Sequence, residues 1–131
     1  MTESHPRSVT IAKDLAVTLQ KDRPGMLAKA AEAIASGGLN LDGFAEIEGT
    51  LHMVTSDPRS ARLALEAVGL PVVGERDVVV VQAVDRAGTA AALFGRLAAA
   101  GLNVAYTYVA SRNRIVIAAD DVPKAVGVLR R

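Results

Sequence analysis

The sequence predicts an α+β protein built from two copies of one βαββαβ module, and three observations carry that expectation. The chain matches itself at an offset of 63 residues without a gap. Apolar residues alternate with period two and then recur at helical spacing, in the same order in both halves. Glycine, proline and aspartate punctuate those segments at matching places.

The offset places Asp22-Arg23-Pro24-Gly25 on Asp85-Arg86-Ala87-Gly88 and Gly38-Leu39-Asn40 on Gly101-Leu102-Asn103, with 12 identities between Val9 and Arg131. It also sets Val17 on Val80 and Asp57 on Asp120. Each copy opens with a strand, Leu15-Val17-Leu19 in the first and Val78 to Val81 in the second. A helix follows, with Pro24 in its first turn, where the missing N–H would have no partner anyway. Met26, Leu27, Ala30, Ala31 and Ile34 form its apolar stripe; Ala90, Leu93, Phe94 and Leu97 form the other. Gly37-Gly38 and Gly101 end these helices. Strands near 39–47 and 50–56 then turn at Glu48-Gly49-Thr50, and those near 103–110 and 113–119 turn at Ser111-Arg112-Asn113. A second helix begins after Asp57-Pro58 and after Asp120-Asp121, with Asp as N-cap.

A strand near 70–75 closes the first copy, which gives the ferredoxin-like order with a four-stranded antiparallel sheet and two helices on one face. The second copy stops before that strand. Residues 8–13 are the equivalent of the missing piece and are expected to complete the second module at its edge. The organisation expected is a disordered tail at 1–7, one module over 14–76 and another over 77–131. A module of about 60 residues buries little of its surface alone, so such completion would stabilise it.

Composition narrows the function. Half of the residues are hydrophobic, and 15 basic side chains face 14 acidic ones, so there is no broad basic field for nucleic acid or membrane. Without cysteine there is no disulfide, thiolate metal site or thiol nucleophile. No apolar run approaches the roughly 18–20 residues that cross a bilayer, and the first residues do not read as a signal peptide. A cytoplasmic protein is expected. No phosphate loop, dinucleotide glycine pattern, paired-histidine motif or serine–histidine pair is present, so neither an enzyme nor a cofactor is expected. Val78-Val79-Val80-Val81 is apolar on both faces, which leads to the expectation of a second sheet or chain and a homodimer.

The two strings in each copy, Asp-Arg-x-Gly opening a helix and Gly-Leu-Asn after it, resemble those of the ACT-domain family of regulatory modules. The resemblance covers nearly all of residues 8–131. It implies an amino acid or related small metabolite bound between the first strand–helix loop of one module and the second strand of a neighbour. It nominates Gln20, Asp22, Arg23 and Gly25 with Asn40 and Leu41 in copy one. In copy two it nominates Asp85, Arg86 and Gly88 with Asn103 and Val104, while Ala83 stands where copy one has Gln20. The chemistry is consistent with these residues: a helix N-terminus attracts a carboxylate, glycine lets a ligand approach the backbone, and Asp can pair with an ammonium.

Plainer readings stand beside these. Asp22 and Arg23 can be a cap and a solvated charge, and Asn40 and Asn103 can bond loop backbone. Glu46, Glu48 and Asp42 read as a solvated strand face, His52 as a packed residue, and Tyr106 and Tyr108 as pocket, interface or core. The expected function is a regulatory module that binds an amino acid and passes that state to an effector protein in trans or through oligomerisation. The alternative is a protein-interaction scaffold without a ligand. Few aromatic residues argue against a third reading as an RNA-binding sheet.

Overall fold

The computed structural model describes residues 6, 8–20 and 23–131. The tail expected at 1–7 therefore lies, apart from Pro6, outside the described residues. The elements are β1 (Ser8–Thr18), α1 (Met26–Ser36), β2 (Gly43–Ile47), β3 (Thr50–Val54), α2 (Pro58–Ala67), β4 (Val72–Gln82), α3 (Thr89–Ala99), β5 (Val104–Ala110), β6 (Arg114–Ala119) and α4 (Val122–Arg130). The strand pairs β1–β3, β2–β3, β4–β6 and β5–β6 are all antiparallel. No described helix is long and apolar enough to cross a membrane.

The chain divides into two compact units, one spanning Lys13–Arg76 and the other combining Met1–Ala12 with Asp77–Arg131. Both divisions fall inside strands. The sequence suggests separate strands near 70–75 and 78–81, but β4 runs unbroken for 11 residues. Glu75, Arg76 and Asp77 are exposed and none has positive φ, so nothing there turns the chain.

In the unit Lys13–Arg76, β3 lies between β1 and β2. Leu15, Val17 and Leu19 alternate inward and meet Leu51 and Met53, as a period-two strand with one buried face must. Ala30, Ala33 and Ile34 of α1, with Ala61 and Leu65 of α2, complete that core. In the other unit β6 lies between β4 and β5, and Val79, Val81, Ala83 and Ile117 pack with Leu93, Leu97, Ala125 and Leu129. Val9 of β1 joins this second core. Its carbonyl accepts two hydrogen bonds from Arg130, from Nε at 3.2 Å and Nη2 at 2.8 Å. Thr10 Oγ1 donates to the carbonyl of Val80 at 3.5 Å.

Register shows that the repeat contains two one-residue steps. Leu15↔Met53 and Val17↔Leu51 in one unit correspond to Val79↔Ile117 and Val81↔Ile115 in the other. The inward residue equivalent to Val17 is thus Val81, at a spacing of 64, rather than Val80. Ala83 accordingly matches Leu19: each is buried, and each donates its N–H to the hairpin turn, Leu19 to Gly49 O at 2.7 Å and Ala83 to Asn113 O at 3.3 Å. Ala83 is not the counterpart of Gln20. The left-handed residues Gly25 and Gly88, at φ +89° and +90°, keep the spacing of 63, so the second unit's loop is one residue shorter.

The compensating step is in the hairpins. Ile47↔Thr50 encloses the two-residue turn Glu48-Gly49, whereas Ala110↔Arg114 encloses the three residues Ser111-Arg112-Asn113. Beyond that turn the spacing is again 64. Asp57 therefore matches Asp121, not Asp120, and both cap a helix, accepting from Ser60 N and Lys124 N at 3.1 Å. Ala61 and Leu65 then match Ala125 and Leu129, all fully buried.

Pro24 also sits elsewhere than expected: α1 begins at Met26, and Pro24 lies in the preceding turn. At the far end, Gly38 N–H bonds Ala35 O at 2.9 Å and Leu39 N–H bonds Ile34 O at 3.1 Å, so the glycines end the helix as read. The four valines 78–81 are at most 5% exposed within this single chain, so their second apolar face requires no other chain. The expectation of a dimer loses that support.

Two outcomes follow. Arg130→Ala should lower stability by about 1.5–3 kcal/mol, the usual weight of hydrogen bonds from a charged group. Deleting residues 1–13 should cost far more, and equal melting temperatures for both variants and the parent would contradict this. Separately, the Ser60 hydroxyl and N–H hold the Asp57 carboxyl below its ordinary value. Its contribution is present at neutral pH and is lost as pH falls through that lowered value. Asp57→Asn should flatten the acid limb of a melting-temperature profile.

Candidate functional site

The strand–helix turn after β1 is built by Gly25. Its φ of +89° belongs to the left-handed region, and the turn lets the chain leave the strand and enter α1 directly. Among the described residues no side chain caps α1, and no acidic residue stands in its first turn. Its first N–H groups therefore keep their free, positive end. Opposite this turn lies the β2–β3 hairpin, tied to the end of β1 by the bond from Leu19 to Gly49.

Between them is a cavity of about 560 Å³, bordered by Leu19, Gln20, Arg23, Gly25, Met26, Leu27, Ala28, Glu46, Glu48 and Gly49. Three of the nominated residues come together here, namely Gln20, Arg23 and Gly25. Arg23 Nη1 donates to Gln20 Oε1 at 3.0 Å, so the guanidinium is held at the loop. Glu46 Oε2 accepts from Gly49 N at 2.6 Å, which fixes the carboxylate at the hairpin. One wall thus offers donors, the other acceptors, with apolar side chains between. Asp22 lies outside the described residues.

Asn40 and Leu41 are not on this cavity. They follow the other end of α1, a helix of 11 residues, about 16 Å long at the usual rise. Asn40 Nδ2 donates to Asp42 Oδ1 at 3.1 Å, and Leu41 packs against the core. The sequence presents Glu46 and Glu48 as a solvated strand face and Gly49 as part of a turn. Their alternation beside a glycine turn was visible in the sequence, but what that hairpin faces was not.

The equivalent place in the other unit holds about 240 Å³, bordered by Ala83, Val84, Asp85, Arg86, Thr89, Ala90, Val109, Asn113, Arg114 and Ile115. The smaller volume follows from the shorter loop. Asp85 and Arg86 border it; Gly88, at φ +90°, shapes the turn. Asn103 and Val104 are again at the opposite helix end. Asn103 donates its N–H to Asp120 Oδ1 at 3.2 Å, and Val104 packs on the core.

Two other groups lie apart from both cavities. Asp14, 1% exposed, meets His52 Nδ1 at 3.1 Å, so His52 is a packed partner. Tyr106 and Tyr108 stack with centroids 6.3 Å apart and border neither cavity. No cluster of three potential metal ligands occurs among the described residues.

The fold has relatives among solved structures. Protein BT0572 from Bacteroides thetaiotaomicron superposes with a TM-score of 0.83 and 29% identity over 93% of this chain and 88% of that one. The regulatory subunit of aspartate kinase from Thermus flavus does so at 0.65 and 19%, over 95% of this chain and 96% of that one. Aspartokinase III from E. coli, solved with lysine and aspartate, gives 0.60 and 18%, over 95% of this chain but 32% of the enzyme. This chain has the ACT-type fold. No protein-family model and no curated protein matches it.

A Cβ added at Gly25 or Gly88 would meet nothing within 4 Å. Alanine at either position should therefore cost only the left-handed backbone penalty, about 1–2 kcal/mol. Urea unfolding of Gly25→Ala and Gly88→Ala would test this; a loss well above that range would reveal a clash instead.

Proposed function

We propose that this chain is a regulatory protein of two ACT modules, the second completed by residues 8–13, that binds an amino acid or related small zwitterion and is not itself an enzyme. The observation that carries this reading is the cavity between the Gly25 turn and the Glu46–Gly49 hairpin. A ligand carboxylate placed at the uncapped start of α1 would meet N–H groups and Arg23. Its ammonium would face Glu46 and Glu48 across the same cavity. Leu19, Met26 and Leu27 would line the aliphatic part. The solved complex of E. coli aspartokinase III with lysine and aspartate supports this chemical class.

Binding would act by linkage: a ligand that holds loop and hairpin together favours one conformation, and a cytoplasmic effector protein or a second copy of the chain reads it. Asn40, Leu41, Asn103 and Val104 enter this reading as groups a second copy would present, in a dimer or larger homo-oligomer. A scaffold reading is favoured by exposed Phe44, Leu63, Val73 and Val109, the last 71% exposed.

A thermal-shift screen against the amino acids decides between them. Ligand at 100 times its dissociation constant should add about 2.7 kcal/mol of stability. Arg23→Ala and Glu48→Gln should each reduce the shift, and Asn40→Ala should do so only if a second copy contributes. Silence from every amino acid at millimolar concentration would leave the scaffold reading.

A further inference from the structure

The two equivalent hairpins end in opposite charges. Glu48 is the first residue of the β2–β3 turn and Arg112 the middle residue of the β5–β6 turn, and both are exposed. Both hold a left-handed backbone, at φ +50° and +60°, where glycine and asparagine are the ordinary choices. Glu46 adds a second carboxylate beside the first tip, and Arg114 adds a second guanidinium beside the other. The same polarity runs through the units that carry them. Residues 13–76 hold nine acidic and seven basic side chains, whereas residues 1–12 and 77–131 hold five and eight.

From this complementarity we infer that the Glu48 tip of one copy docks on the Arg112 tip of a second copy of this chain. Unlike tips attract and like tips repel, so the contact selects the unlike pair. Each tip is held before any contact forms. Gly49 N–H donates to Glu46 Oε2 at 2.6 Å, and Gln82 Nε2 donates to the Arg112 carbonyl at 3.3 Å. Less ordering entropy is then lost on docking.

Exposed apolar side chains stand behind the charges. Phe44 lies opposite Met53 and Val109 opposite Ile115, which places both on the core side of their strands, yet they are 57% and 71% exposed. Covering them adds hydrophobic burial to an exposed ion pair that by itself contributes about 1 kcal/mol or less. Every copy carries one tip of each kind. Two copies that pair reciprocally make the contact twice, and copies that do not close form a chain. This docking stands apart from the amino-acid reading of the first cavity and does not rest on it; Asn40, Leu41, Asn103 and Val104 take no part.

The test is sedimentation velocity of the full chain over a concentration series, with no amino acid added. The sedimentation coefficient should rise with concentration in dilute salt. It should fall back toward the monomer value as sodium chloride shortens the screening length from about 10 Å at 0.1 M to about 3 Å at 1 M. Glu48→Arg and Arg112→Glu each give a chain with two like tips, and each variant should sediment as a monomer. Each replacement is the residue that the other hairpin already holds at positive φ, so neither adds backbone strain. An equimolar mixture of the two variants should associate again, which misfolded chains would not do. A parent that stays monomeric throughout, an assembly indifferent to salt or to both reversals, or a mixture that stays monomeric would overturn the inference.

Discussion

The rest of the structure depends on strand register. In a pleated strand a slip of one residue sends every side chain to the opposite face. Leu15, Val17 and Leu19 must therefore face the helices together with Leu51 and Met53, and Val79, Val81 and Ala83 must do so with Ile115 and Ile117. The shorter loop before Gly88 and the longer turn at Ser111-Arg112-Asn113 leave both registers intact, because each step falls between strands. Length variation is confined to where the backbone carries no buried pattern.

Those two places are also the walls of the cavities. The loop after the first strand forms one side and the hairpin turn the other. Shortening one and lengthening the other changes volume and lining without disturbing the core, since Ala83 keeps the hydrogen bond to the hairpin that Leu19 makes. One architecture thereby presents an open cavity with two carboxylates and a smaller one with two guanidinium groups. Function varies in loops held by a rigid scaffold.

Much of the fold was legible because its signals are local. Period-two alternation marks the strands, Gly38 and Gly101 end their helices, and Asp57 caps α2 within three residues of its own position. The left-handed turn at Gly25 is equally local, which is why Gln20, Arg23 and Gly25 could be nominated together. Glu46 and Glu48 were not, because nothing in their own neighbourhood indicates that the hairpin reaches the loop some 25 residues earlier. The valine run at 78–81 left a choice open for a related reason: hydrophobicity shows that two faces are buried, not whether a sheet of the same chain or another chain buries them.

The sequence by itself determined the order of elements, the caps and turns, the buried stripes and the existence of a repeat, since each is set by residues within a turn or two of one another. Only the tertiary structure decided the true equivalences. Val17 matches Val81 and Asp57 matches Asp121 because strand pairing, not linear identity, places a side chain inside or outside. It also decided which charges share a cavity, because that depends on the meeting of a loop and a hairpin that hydrogen-bonded strands bring together.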